Sequence, residues 1–308
     1  MRKFLPFLFA AALASSCIDN AYDLSNVTTD DVTIGDEDSE YRLPLATVYV
    51  SMSELNEGGA DIKTLFDEAD IWLPSPLPGN AAYVDLRELQ NTPETITPLL
   101  DALIDQMMDD DAKITAVADL LAEKYLSTFL PLLPPNTDPA DFKPVFIEAF
   151  RNMPMLHDRL SGEVKSLAGS YLTELKVQDV TYDIGKIDIG GDVVDMLCEN
   201  LDSEGTPNPK NTLHLYGSIT SALPVSLRLV PYFSPTNVRF DVTVEPGKTN
   251  EIRETQLFES DLRQIIEGAE IILPVSLEKY YPGYDFTSDQ QIVITLRLIK
   301  RGGLKLNL

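Results

Sequence analysis

At Glu174 the hydrophobic period of the chain changes from about 3.6 residues to two. From Thr97 to that point apolar residues recur three and four positions apart. Beyond it they alternate. Helices that each carry one apolar stripe need a common partner, and short alternating strands need an opposing layer. The expectation is an α+β chain: a helical subdomain at 97–175 inserted among strands, followed by an antiparallel β-sandwich-like region at 176–308.

Four helices fit the first pattern. Pro98 opens one, with Leu99, Leu100, Leu103, Ile104 and Met107 on its stripe. A second runs from about Ala112 to Leu130, carrying Ile114, Val117, Ala118, Leu121, Tyr125 and Leu126, and Pro131 stops it. Asp138-Pro139 starts a third with Phe142, Val145, Phe146, Ala149 and Phe150. The fourth covers roughly Met155 to Leu175, interrupted by Gly162 and Gly169. The run Asp109-Asp110-Asp111 lacks the glycine and distal glutamate of a calcium loop, so helix capping by Asp111 explains it more simply.

Strands flank this unit. Arg42 to Ser51 is apolar on both alternating faces and reads as a buried strand; 41–96 as a whole reads as N-terminal strands and proline-rich loops. Trp72 is assigned to the core, and Pro74, Pro76, Pro78 and Gly79 leave their stretch too broken for long regular structure. Leu175 to Ile189 alternates along a long strand or a bent pair with its kink at Gly185, a short helix covers Asp192 to Leu201, and 202–209 is an exposed turn. Strands then follow at Leu213–Ser221, Val225–Phe233, Val238–Val244, Ile252–Phe258, Ile271–Val275, Gln291–Ile299 and Leu304–Leu308, with a helix at Asp261–Glu267.

The amino terminus fixes location. Arg2 and Lys3 precede an apolar run, Phe4 to Leu13, and the small residues Ala14, Ser15 and Ser16 lead to Cys17. That run is shorter than the roughly 20 apolar residues that span a bilayer. Leu13-Ala14-Ser15-Ser16-Cys17 resembles the lipobox of bacterial lipoproteins. The resemblance implies that residues 1–16 are removed, that Cys17 is lipidated, and that the protein is tethered to the outer membrane on its cell-surface or periplasmic face. Residues 17–40, rich in Asp, Asn, Ser and Thr, read as a flexible acidic tether. Tyr22-Asp-Leu-Ser-Asn26, Leu223–Phe233 and Leu298–Leu308 look similar to segments of Bacteroidales lipoproteins that bring no known activity with them.

Charge and inventory narrow the chemistry. A formal net charge of −25 repels polyanions, so neither nucleic acid nor an anionic membrane surface is an expected partner. His157 and His214 are the only histidines, one in a predicted helix and one in a predicted strand, which argues against a two-histidine metal site. No nucleophile elbow, metalloprotease, phosphate-loop or dinucleotide motif occurs. The expectation is no enzymatic activity, no cofactor and no metal. Cys198 falls on the apolar stripe with Val194 and Leu197, as a buried structural thiol.

The remaining expectation is a structural or binding role toward an envelope partner or an extracellular ligand. Tyr280, Tyr281, Tyr284 and Phe286 cluster around Pro282-Gly283. Such rings can stack on a glycan, or they can cover the end of the sandwich with hydroxyls outward. A third reading is carriage of an apolar ligand, since Met107, Met108, Met153 and Met155 lie near helix ends and methionine suits adaptable grooves.

Overall fold

The computed structural model describes residues 32–52, 54, 61–177 and 179–306. Cys17, the leader and residues 17–31 of the expected tether lie outside them. In chain order, strands β1 (Val32–Ile34) and β2 (Glu40–Ser51) come first. The helical region follows: α1 (Ile62–Trp72), strand β3 (Val84–Asp85), α2 (Leu86–Asn91), α3 (Thr97–Asp109), α4 (Asp111–Lys124), α5 (Leu126–Phe129), α6 (Phe142–Asn152) and α7 (Pro154–Glu174). Strand β4 (Val180–Asp183) and α8 (Gly191–Cys198) lead into β5 (Thr212–Ser221), β6 (Val225–Leu229), β7 (Tyr232–Ser234), β8 (Val242–Val244) and β9 (Thr249–Leu257). Helix α9 (Glu259–Gly268) precedes β10 (Glu270–Leu273), β11 (Val275–Tyr280), β12 (Gln291–Arg301) and β13 (Leu304–Leu306).

The architecture is α+β with a β-rich C-terminal region. One four-stranded sheet has the order β2-β12-β5-β9 and another the order β3-β11-β6-β8; every ladder is antiparallel. The inward residues of the first sheet, Leu213, Leu215, Ile219, Ile292, Ile294, Leu296 and Leu298, are almost fully withdrawn from solvent. They join one continuous core with Leu227, Leu229 and Val244 of the second. The first strands close against the last: β2 pairs with β12, and β1 with β13.

Two prolines carry the chain from one sheet to another. Val225–Phe233 and Ile271–Val275, each expected as a single strand, are divided at Pro231 and Pro274, where the ladder loses a backbone donor. On one side of the prolines β6 pairs with β11 in the second four-stranded sheet; on the other, β7 pairs with β10 in a three-stranded sheet completed by β4. A paired ribbon thus bends at both of its strands together.

All four expected helices form, and the helical layer begins earlier than expected. Helix α1 occupies residues that the nearby prolines had marked as broken. Its stripe is Ile62, Phe66, Ala69 and Trp72, all buried, and the Asp61 side chain caps it by accepting from the Lys63 N–H at 3.1 Å. Helix α4 ends at Lys124, and α5 continues only to Phe129. Helix α7 runs unbroken through Gly162 and Gly169. A helical glycine costs about 1 kcal/mol relative to alanine, and burial of Leu160, Val164, Ala168 and Leu172 offsets it. The cap of α4 is Asp110, one position before the expected Asp111: it accepts from the N–H groups of Ala112 at 2.8 Å and Lys113 at 3.2 Å. Asp111 instead pairs with Arg151.

Two other expectations change. Residues 32–40 do not belong to a tether, because β1 finds a partner in β13 and Tyr41 donates its hydroxyl to the Ile34 carbonyl at 2.7 Å. The long strand or bent pair expected across Leu175–Ile189 is reduced, among the described residues, to β4. Gly185, at φ +62°, ends the alternation, and the Ile187 N–H leaves the ladder to bond the Ile266 carbonyl at 2.9 Å.

Candidate functional site

The register of β3 against β11 builds the most distinctive surface. Val84 lies opposite Tyr280 and Asp85 opposite Lys279, so Tyr83 and Tyr281 meet one step further along the same pair. Their ring centroids are 5.5 Å apart with planes at 53°. The Lys279 ammonium stands 4.9 Å from the centroid of the Tyr83 ring, within cation–π range.

Glu245, in the turn after β8, fixes this arrangement. It accepts from the Lys279 ammonium at 3.3 Å and from the Tyr281 hydroxyl at 3.2 Å. Partial burial works against its charge, but the bonds from Lys279 and Tyr281 outweigh that and hold the carboxyl below the usual range. The same bond pushes the Lys279 ammonium up, and the Tyr281 hydroxyl is raised by burial and by the neighbouring carboxylate. At neutral pH the group is a fixed ion pair with a neutral phenol.

A cleft of about 210 Å³ opens beside Tyr83, between the proline-rich loop and the start of α3. Leu77, Pro78 and Leu99 give it apolar walls, and Asp85 and Glu88 supply carboxylates. Asp85 also caps α2 by accepting from the Glu88 N–H at 2.8 Å. A second cleft of about 390 Å³ lies between α1 and α4, bordered by Asp67, Glu68, Asp119 and Glu123. Three of its four carboxylates are already paired, Asp67 with Lys63, Glu68 with Lys124 and Asp119 with Lys143. It is a groove whose carboxylates are mostly neutralised by neighbouring lysines.

The expected aromatic quartet is divided by the fold. Tyr280 and Phe286 are 1% and 3% exposed and both pack on Phe66 of α1, so they hold the helical layer to the strands and offer no ring to a ligand. Tyr281 is half-buried in the ridge, and Tyr284 is 65% exposed. Tyr83, Lys279 and Glu245 escape sequence reasoning because only the strand pairing brings them together. The one available signal was Tyr83 itself, an aromatic among small and polar neighbours.

Other sequence-level candidates fall elsewhere. His157 lies on α7 against Phe150, and His214 on β5 beside Arg301; burial and that guanidinium lower the affinity of His214 for a proton. Among the described residues no group of three or more His, Cys, Asp or Glu side chains could hold a metal ion. Cys198 is buried, and burial pushes its thiol up to about 11. Met107 is fully buried and Met155 almost fully exposed, so the methionines form no common groove wall.

The site so defined is an aromatic and charged ridge beside a small cleft on an α+β scaffold. No family model and no curated protein matches the chain. A crystal structure of a Parabacteroides distasonis protein, described as secreted, is similar at 18% identity over 41% of this chain and 38% of that one, with a TM-score of 0.30. That score is too low to define a shared fold. Among the described residues no helix is long and apolar enough to cross a membrane.

Proposed function

We propose that the protein is a lipid-anchored, non-enzymatic component of a bacterial cell envelope, held at the outer membrane through Cys17, whose folded part presents a binding surface. The observation that carries the anchor is the basic start, short apolar run and Leu13-Ala14-Ser15-Ser16-Cys17 ending. Each buried methylene of an acyl chain contributes about 0.8 kcal/mol, so a multiply acylated cysteine holds firmly where one short chain would not. The likeness of the amino-terminal and C-terminal segments to Bacteroidales lipoproteins supports the same placement.

A binding role suits the folded part. The two histidines sit on separate elements; His157 Nε2 lies 3.4 Å from the hydroxyl of Ser161 one turn along α7, a buried group with no open approach for a substrate, and burial keeps the Cys198 thiol protonated. The Tyr83–Tyr281 ridge is instead held by its own contacts, Glu245 bonding both Lys279 and Tyr281 and Lys279 lying over Tyr83. Membrane fractionation of the wild type and of Cys17→Ala tests the anchor. Wild type should stay with the membrane after washing, with residues 1–16 absent and acyl mass on Cys17. The variant should be released or retained unprocessed. A processed variant that remains equally membrane-bound would overturn the proposal.

A further inference from the structure

We infer that the cleft beside Tyr83 is a carbohydrate subsite that takes one neutral sugar ring, with the Tyr83 ring, the edge of the ridge, as its stacking wall. The inference rests on the binding role proposed above and assigns it a ligand class. At about 210 Å³ the cleft is smaller than the roughly 300–1,000 Å³ of sites that enclose a whole drug-sized ligand. It fits one ring-sized group, with the remainder of a chain lying over the exposed ridge.

The lining matches the two surfaces of a sugar. A pyranose has apolar C–H faces and a rim of hydroxyls. Leu77, Pro78 and the 39%-exposed Tyr83 ring supply apolar contact, while Asp85 and Glu88 accept from hydroxyl donors. Carboxylates on the wall, within a chain of net charge −25, disfavour an anionic ligand.

The ridge is also held in place before a ligand arrives. Glu245 ties down both Lys279 and Tyr281, and Lys279 in turn lies over Tyr83, so little side-chain freedom is lost on binding. Tyr49, at 54% exposure on β2, offers a comparable aromatic surface on a different sheet. It serves as an internal control.

The test is calorimetric titration of the full-length protein, extracted in mild detergent, with neutral gluco-, xylo- and manno-oligosaccharides and with a basic peptide. At least one neutral oligosaccharide should bind. Tyr83→Ala should weaken it by about tenfold or more, the scale of one lost aromatic contact. Glu88→Gln should weaken it less, and Tyr49→Ala should leave it unchanged. Failure of every neutral oligosaccharide to bind, binding indifferent to Tyr83→Ala, or selective binding of the basic peptide would overturn the subsite. None of these results alters the membrane fractionation of Cys17→Ala, so the anchor and the subsite fail separately.

Discussion

The Phe66 ring of α1 stacks on Phe286, which follows β11, with centroids 4.8 Å apart and planes 12° from parallel. Tyr280 packs on the same Phe66 ring, also at 4.8 Å. Three buried aromatics therefore join the helical layer to the strand layer close to the β3–β11 pairing that forms the ridge.

Truncation of that contact should be felt globally. Phe66→Ala is expected to cost about 3–5 kcal/mol, from lost transfer free energy and the cavity left between two rings. Urea denaturation followed separately by tryptophan fluorescence, which reports on Trp72 in α1, and by far-ultraviolet circular dichroism checks this. A loss below about 1 kcal/mol would mean that the layers are held together elsewhere.

Gly217 should not accept a side chain. A Cβ there would sit 2.0 Å from the Thr295 carbonyl oxygen of β12, in the middle of the first sheet. Gly217→Ala must push two central strands apart, and a destabilisation of about 1–3 kcal/mol is expected from overpacking. Chemical denaturation of the variant measures it, and an unchanged midpoint would contradict the close approach.

Thiol titration distinguishes the two cysteines. Cys198 is 8% exposed with its thiol raised to about 11, so the native mature protein should react negligibly with iodoacetamide at pH 8. In denaturant one thiol should appear, because an acylated Cys17 has no free sulfhydryl. Two thiols on denaturation would speak against lipidation, and rapid native labelling would speak against burial of Cys198.

Lys113 should make stability depend on alkaline pH. Its ammonium donates to the Asp70 carbonyl at 3.0 Å and the Leu73 carbonyl at 2.5 Å, joining the end of α1 to the start of α4. Burial lowers it to about 8, against an ordinary value of 10.5. Below pH 8 it is charged in both folded and unfolded chains, and the full desolvation cost is present. Between about 8 and 10.5 the unfolded chain binds more protons, so that cost fades and stability rises with pH. Burial raises Tyr280 and Tyr171, which act in the opposite direction above pH 10. The comparison with Lys113→Met cancels their effect: thermal melts from pH 7.5 to 10 should show wild type gaining on the variant. Parallel curves would show that Lys113 is not desolvated.

The elements legible in the sequence were those set by local pattern. The stripes of α3, α4, α6 and α7 and the alternation of β5 and β12 each place apolar side chains on one face, whatever they later meet. Helix α1 was hidden because Pro74 to Gly79 follow it directly, although Ile62, Phe66, Ala69 and Trp72 carry a regular helical period. At the candidate site the sequence pointed to the Tyr280–Phe286 stretch but could not sort it. Tyr280 and Tyr281 are adjacent, and only the facing layers decide which is core and which is ridge.

By itself the sequence determined the α+β composition, the run of helices among strands, the acidic character that disfavours polyanions, and the basic and apolar amino-terminal pattern that leads to Cys17. These follow from periodicity, charge and short contiguous motifs, which act over a few residues. Only the tertiary structure decided that the first strands pair with the last, that Pro231 and Pro274 turn a paired ribbon between sheets, and that Tyr83, Glu245, Lys279 and Tyr281 form one surface. Strand register is fixed by burying one face against a partner distant along the chain, and no local stretch contains both sides of that contact.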